Sequence, residues 1–506
     1  MNYYLVAFVA FVGYFLYKCY IYPLYLSSLC KIPGPPVNNF ILGHYASLLR
    51  NDLNEAFTHL ARQYGGIVRL FFMKNVKKGV LGESIILAEG DSHKRQRKMM
   101  NPSFAFANVK EMFPVFTQAG HKLKDIWMKQ IGNKEEERIT ITTLISKVTL
   151  DVIGLVGFNY EFNSTTSESK LVQAYSSIIN ANPPILFLAL IDLFPFIGNI
   201  PNPYMNQFIE SIKIIKNTSE RLVAEQKNNP VQGKDLLSLL VKANENLPVD
   251  EQLTHDELIG QVMTFLVAGH ETTSIALSWA LYFLAKNPDI QDRLRKELLD
   301  VLTDCNHFPT YKEIEHSKYL ECVLKETLRI TPPVAILRRY NLKDEIMNGY
   351  VIPKKTPLVI TIYAIHRYPL VWGDDAESFN PSRWLDPEIK SKVSNNNFLP
   401  FGAGTTNCLG MKMAQLEFKS ILSFRLVEGF TFKKKYIDLT NNFLPFGAGT
   451  TNCLGMKMAQ LEFKSILSVI VRNFEFRLVE GFTFKKKYIS TKPIPGIDLL
   501  VSKIDY

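Results

Sequence analysis

Two cysteines occupy the same setting. Cys408 and Cys453 each sit in "FGAGTTNCLG", and each precedes the helical pattern "MKMAQLEFKSILS". A helix N-terminus favours thiolate over thiol, and thiolate is a strong metal ligand. One such ligand, with no CxxC or histidine partner, does not suit zinc, which takes three or four protein ligands. It suits haem, whose macrocycle supplies the other four donors, so that one axial thiolate is enough. The glycines let the loop bend tightly and pass close to a flat ligand. A single cysteine is more commonly a buried structural residue, so the chemistry rests on what accompanies it.

Three other stretches provide company. "AGHETT" (Ala268–Thr273) lies inside the longest helical pattern of the chain. Gly269 is expected to open room there for a flat ring or a bound oxygen. Thr272 can hydrogen-bond to the backbone and distort the helix. Glu271 beside it offers a proton route, because a carboxylate–alcohol pair can relay protons. In isolation the stretch reads as a polar kink in a core helix. "KETLR" places Glu326 and Arg329 three apart on one helical face, which alone is a common surface pair. "FNPSRW" follows, with Arg383.

Together these motifs resemble the cytochrome P450 family. Phe401, Gly402, Gly404, Cys408 and Gly410, or Phe446, Gly447, Gly449, Cys453 and Gly455, match its F-x-x-G-x-x-x-C-x-G haem loop. "KETLR" matches E-x-x-R, "FNPSRW" matches F-x-P-x-R-[WF] and "AGHETT" matches A-G-x-[DE]-T, all in the family's order. The resemblance implies a haem-thiolate monooxygenase that inserts one oxygen atom from O2 into an apolar organic substrate. It implies haem b, an NADPH-dependent P450 reductase as electron source, and cytochrome b5 as a further donor. Glu271 and Thr272 become the catalytic pair, and Arg383 joins Glu326 and Arg329 in a buried network. Arg97, in "HKRQRK", matches the propionate-binding arginine, with Arg339 a second candidate by spacing; His93 stands where many members have tryptophan. The same basic run, with Lys433–Lys435 or Lys485–Lys487, is expected to meet the acidic reductase. Two other readings stay open: a reductase-independent isomerase or dehydratase on the same fold, and a catalytically impaired product of a damaged gene.

The sequence also departs from the family pattern. Thr406 or Thr451 stands where an arginine usually precedes the cysteine by two residues, which removes one charged propionate contact. Only "MKNVKKGV" (Met73–Val80) stands where the family has strands, a helix and a loop over the haem. Asn396–Ser423 recurs letter for letter as Asn441–Ser468, and Phe424–Ile437 recurs as Phe476–Ile489. Such identity is unlike a solenoid repeat, which recurs more often and drifts. Arg383 keeps the family's usual distance to Cys408. However, only the second copy carries "VIVRNFE" (Val469–Glu475), two turns of apolar helix, and the closing strands. An insert ahead of Cys453 lengthens a surface loop, where doubling the length costs about 0.6 kcal/mol. An insert after Cys408 splits a core helix. Cys453 is therefore the expected iron ligand, and Cys408 the alternative.

The elements that must position these residues read as mainly α with small β-sheets. The 506 residues are 47% hydrophobic and 21% charged, enough for a large core. "TSERLVAEQ" and "DLLSLLVKANEN" have helical apolar spacing. The longest helix is expected from Thr254, where Thr254 and Glu257 form a capping box, to Lys286, a length of about 50 Å. It is apolar on most sides, so it should cross the core; Pro288 opens the next helix. "YVIP" and "PLVITIYA" read as short strands. One catalytic body is expected over 37–506, with 396–437 a partial duplicate of 441–489. Six cysteines, at 19, 30, 305, 322, 408 and 453, make no disulfide framework. A net charge of +10 favours acidic partners or an anionic membrane over nucleic acid.

Residues 3–22 are long and apolar enough to span a bilayer, which takes about 20 residues. Lys18 sits near the end, where it can snorkel. Residues 1–30 are the expected anchor and "KIPGPP" (31–36) a stiff hinge. Lys18 and Lys31 follow the span, which puts the body in the cytoplasm; the resemblance implies the endoplasmic reticulum membrane. The apolar Pro183–Gly198 is expected to rest on the bilayer.

Overall fold

The computed structural model describes residues 2–37, 39, 43–44, 52–71, 84–166, 170–180, 187, 200, 202–228, 233–301, 307–394, 397–402, 408, 463–464, 466–467, 470–471, 473–483, 485–486, 491–494 and 496–503. Contacts group the chain into two compact units: 1–77 with 182–205 and 335–364, and the remainder.

In the first unit, the apolar N-terminus forms α1 (Asn2–Leu16), which widens into a π-helical stretch over Tyr17–Leu26. The expected single span of 3–22 is thus an α-helix of 15 residues with a π-helical continuation. Pro23 lies inside the continuation and has no N–H to give an α-ladder. Tyr3, Leu5, Val6, Phe8 and Phe11 all expose their side chains. Lys31 ends a 3-10 turn, and the proline-rich residues after it have no regular structure but are pinned. Arg69 N donates to Pro33 O at 2.9 Å, and a Cβ on Gly34 would collide with the Arg69 carbonyl. α2 (Leu53–Tyr64) is capped by the Asp52 carboxylate, which accepts from Asn54 N at 2.9 Å.

Ile336–Tyr340 pairs antiparallel with Pro357–Thr361. Glu345–Met347 pairs with Tyr350–Ile352 across Asn348–Gly349, both at positive φ. Asn-Gly is the preferred two-residue hairpin turn for this reason. The expected strand "PLVITIYA" stops at Thr361, and Ile362–Ile365 is a helical turn.

The second unit is helical. It holds α3 (Gly90–Met100), α4 (Phe113–Ile131), α5 (Ile141–Phe158) and α6 (Lys170–Asn180). α7 (Leu236–Glu245), α8 (His255–Lys286), α9 (Pro288–Val301) and α10 (Lys318–Ile330) follow. α8 begins with both halves of the Thr254–Glu257 capping box and ends before Pro288, as its sequence predicts. It is the buried axis of the unit: Val262, Leu266, Leu277, Ala280, Leu281 and Leu284 are fully enclosed. α5 passes a length-and-hydropathy test for a membrane span, yet it is mostly buried against its neighbours, so it is a core helix. A three-stranded antiparallel sheet closes the unit, with Asp498–Lys503 between Glu136–Thr140 and Phe474–Leu478.

The second repeat copy supplies core. Phe463, Ile466, Leu467, Ile470, Val471 and Phe474 are all fully buried. Three of these, Ile470, Val471 and Phe474, belong to the "VIVRNFE" that the first copy lacks. The first copy supplies core only at its start, through Phe398 and Leu399. Residues 409–450, the rest of that copy and the second loop up to Gly449, lie outside the described residues.

Candidate active site

Glu326, Arg329 and Arg383 form one hydrogen-bonded network. Arg329 grips Glu326 bidentately, Nε to Oε2 at 3.0 Å and Nη2 to Oε1 at 2.8 Å. Arg383 Nε donates to Glu326 Oε1 at 3.0 Å. Trp384 Nε1 and Asn380 N satisfy the remaining lone pairs of the carboxylate at 3.1 and 2.9 Å. Arg329 reaches on to the carbonyls of Ala376 and Ser378, both at 2.6 Å, and Arg383 to Asp375 Oδ2 at 2.7 Å. Burial pulls Arg329 down to about 10 against the opposing pull of Glu326, so it stays charged at neutral pH. Burial also works against Arg383, but Glu326 and Asp375 together raise its pKa. A buried ion pair of this kind is tolerable only when every lone pair and proton is matched. The network joins α10 to the turn at Pro381–Leu385, directly ahead of the first loop copy.

A residue that belongs to no motif extends this framework. His366 is fully buried, and its Nε2 accepts from Leu399 N at 3.1 Å. Burial and the neighbouring Arg367 hold its pKa well below the ordinary value, so the ring is a neutral acceptor. It ties the start of the cysteine loop to the core, while Gly402 turns the chain with φ 76°.

On α8, Ala268 is exposed and Val267, Gly269 and Thr272 are half-buried, in the middle of a helix otherwise enclosed. This strip is the open face on which a flat ligand can lie. Thr272 Oγ1 donates to Ala268 O at 2.8 Å, the local bond expected of it, but α8 runs on unbroken. Gly269 also serves the packing of the helix. A Cβ there would come within 2.7 Å of Ile153 Cδ1 and Cγ1, so the glycine lets α8 approach α5. Glu271 is buried and its Oε1 pairs with Lys492 Nζ at 2.9 Å.

The loop residues are only partly described. Phe401 packs against the core, and Cys408 N donates to its carbonyl at 2.9 Å. Cys408 is exposed and its sulfur is in a disulfide, so it has no thiolate to give in this state. Cys453, Phe446, Gly449 and Gly455 lie outside the described residues. Of the arginines, Arg97 is buried on α3 one turn after His93, and burial alone pulls its guanidinium down to about 10. A desolvated cation is what a propionate would match. Arg339 lies in the first unit, half-buried, with Nη1 on Arg338 O at 2.8 Å; burial lowers its pKa too.

The basic run around Arg97 does not form a bare cationic face. Lys94 pairs with Asp91 and Lys98 with Glu251, both at 2.9 Å, and Arg95 pairs with Glu257. Two of these three acidic partners, Glu251 and Glu257, are distant in sequence, which the run itself could not reveal. Lys433–Lys435 and Lys487 lie outside the described residues.

Comparison with known proteins decides the family. The family model described as Cytochrome P450 matches residues 72–438 and 428–501, two segments that meet inside the repeat. The chain belongs to the cytochrome P450 family. It is 31% identical to Cytochrome P450 monooxygenase 128 of Postia placenta, over 81% of this chain and 87% of that one. It is also 31% identical to Cytochrome P450 monooxygenase sphH of Aspergillus fumigatus, over 84% and 86%. A ganoderic acid synthetase of Ganoderma lucidum is 27% identical over 80% and 88%. This P450 is therefore an oxidoreductase of the monooxygenase type. The family implies haem iron on a cysteine thiolate, and the open strip on α8 together with the desolvated Arg97 fits such a group.

Proposed function

We propose that this P450 is a membrane-anchored haem-thiolate monooxygenase. It inserts one atom of O2 into an apolar organic substrate, with haem b held by Cys453 and electrons from an NADPH-dependent reductase assisted by cytochrome b5. The observation that carries the reading is the opening on α8, where Ala268 and Thr272 face free space beside a buried glutamate. The bound haem iron supplies the activation of dioxygen. The chain supplies the rest. Arg97, and Arg339 as second candidate, bind carboxylates of the haem edge. Thr272 gives its proton to the Ala268 carbonyl and keeps lone pairs on the open side. To donate outward it must release that bond, and the carboxylate of Glu271, its neighbour in the chain, would relay a proton to it.

Cys453 is preferred as ligand because the helix that follows it is the one built into the core, through Phe463, Ile466 and Leu467. The exposed apolar side chains of α1 support an anchor in residues 1–30, with the segment 31–36 leading from it. On this reading the anchor holds the protein to the endoplasmic reticulum membrane, with the catalytic body in the cytoplasm.

The test is the absorption spectrum of the reduced, CO-bound protein for wild type, Cys408→Ser and Cys453→Ser. The expected result is a red-shifted thiolate band in wild type and Cys408→Ser and its loss in Cys453→Ser. Loss only in Cys408→Ser reverses the assignment. No band in wild type favours the catalytically impaired reading.

A further inference from the structure

We propose that Lys492 is a positioning residue that holds Glu271 as a fixed carboxylate next to Thr272 in the chain, so that the segment following the second repeat sets the charge state of the proton relay. This rests on the monooxygenase reading above for its purpose, but not for its geometry.

Lys492 is itself held in place. Thr491, fully buried, accepts from Trp279 Nε1 on α8 at 2.7 Å through its carbonyl. Its hydroxyl donates to Pro332 O at 3.1 Å. On the other side, Pro493–Ile494 pairs antiparallel with Lys485–Lys486. Between these fixed points the lysine reaches α8, with Nζ 2.9 Å from Glu271 Oε1 and only 18% of its side chain exposed, against 11% for the glutamate.

The groups around the carboxylate leave this charge to Lys492. His270 Nε2 is 3.7 Å from Glu271 Oε2, beyond hydrogen-bond reach. His270 Nδ1 lies 2.6 Å from Leu266 O, and a carbonyl can only accept, so Nδ1 carries the ring proton. Burial lowers the His270 pKa, which leaves the ring neutral and its Nε2 a bare lone pair. Tyr175 from α6 packs edge-on against that ring, and Thr149 from α5 donates to the His270 carbonyl at 3.1 Å. The charged and ionisable contacts of Glu271 are thus a neutral imidazole beyond hydrogen-bond reach and the Lys492 ammonium, with the Tyr175 phenol behind the imidazole. Removing one partner of a buried ion pair leaves the other uncompensated, and the cheapest response is a change of protonation state.

Infrared difference spectroscopy on the full-length protein tests this without substrate or reductase. Glu271→Gln identifies the bands of Glu271. At neutral pH the wild type is expected to show Glu271 as carboxylate only. Lys492→Met is expected to show a protonated carboxyl C=O band that disappears in the Lys492→Met/Glu271→Gln double variant, and Lys492→Arg to restore the carboxylate. If Lys492→Met fails to fold, Lys492→Gln carries the same test. A carboxylate unchanged in the uncharged variants, or an acid band that Lys492→Arg does not remove, overturns the proposal. The CO-bound spectrum of the same wild-type sample reports separately on haem binding. A missing thiolate band there defeats the functional reading and leaves the infrared answer about Lys492 standing.

Discussion

Glu326 is an ion that folding has taken wholly out of water, and donors on Arg329, Arg383, Trp384 and Asn380 hold it there. Its replacement by alanine leaves buried Arg329 without a carboxylate and Arg383 with Asp375 alone, so Glu326→Ala is expected to lower the unfolding free energy by about 3–5 kcal/mol, read from the denaturant midpoint. Arg329→Lys is expected to fail as well, because an ammonium cannot make the planar two-point contact. His366 gives a second prediction at this scale. Its folded pKa is well below the ordinary 6.5, so below that pH the unfolded chain takes up a proton that the native ring refuses. Stability that is fully present above about pH 6.5 is then lost as pH falls, at up to about 1.4 kcal/mol per pH unit for this group. His366→Gln is expected to be less stable at neutral pH but to lose this share of the acid slope; an unchanged slope in a pH series of melts would exclude His366 as its source. The arginines and Glu326 were legible in the sequence because their spacing is a motif. His366, Asp375 and Lys492 were not, because each acts on a residue reached only through space.

The contact of α8 with α5 turns on one missing methyl group. Gly269→Ala gains helix propensity, about 1 kcal/mol, but drives a Cβ into Ile153. Overpacking of this kind costs about 1–3 kcal/mol, so the variant is expected to be no more stable and its open strip to shift. In an Ile153→Val background the penalty should shrink, and a double-mutant cycle on melting measures that coupling; strict additivity would show that the two residues do not meet. The start and end of α8 were readable, since a capping box and a proline are local chemistry. The purpose of Gly269 was not, since the residue it makes room for lies on another helix. The π-helical continuation of α1 and the helical turn that cuts short the strand after Pro357 were also missed. Apolar runs of this length fit helix and strand alike.

For the whole molecule the repeat is the outstanding question, and the burial pattern answers part of it. Phe398 and Leu399 of the first copy and Phe463 to Phe474 of the second both belong to the core. The chain therefore enters its loop through one copy and leaves through the other. Deletion of residues 396–440 joins the same entry to the same exit and leaves one complete loop and helix. That variant is expected to melt at or above the wild-type temperature and to retain the CO-bound thiolate band. Deletion of 469–475 from the full chain instead removes Ile470, Val471 and Phe474 from the core and is expected to abolish cooperative melting. A variant lacking 396–440 that melts well below wild type would mean that the inserted copy stabilises the fold. The helical class and the family were legible because four motifs in order are hard to produce by chance. The division into two units was not, because 335–364 joins its unit from far along the chain.

The three-stranded sheet sets a condition on how the protein is made. Its central strand, Asp498–Lys503, is synthesised after both strands that flank it. Arg138 must wait for Asp498, 360 residues later, before its guanidinium finds the carboxylate. Until then Glu136–Thr140 and Phe474–Leu478 are two unpaired edges in a growing chain, the kind of edge that recruits strands from other molecules. A translation product that stops short of Asp498 keeps both edges exposed for good. Chains that end before Asp498 are therefore expected to aggregate more readily than the full chain.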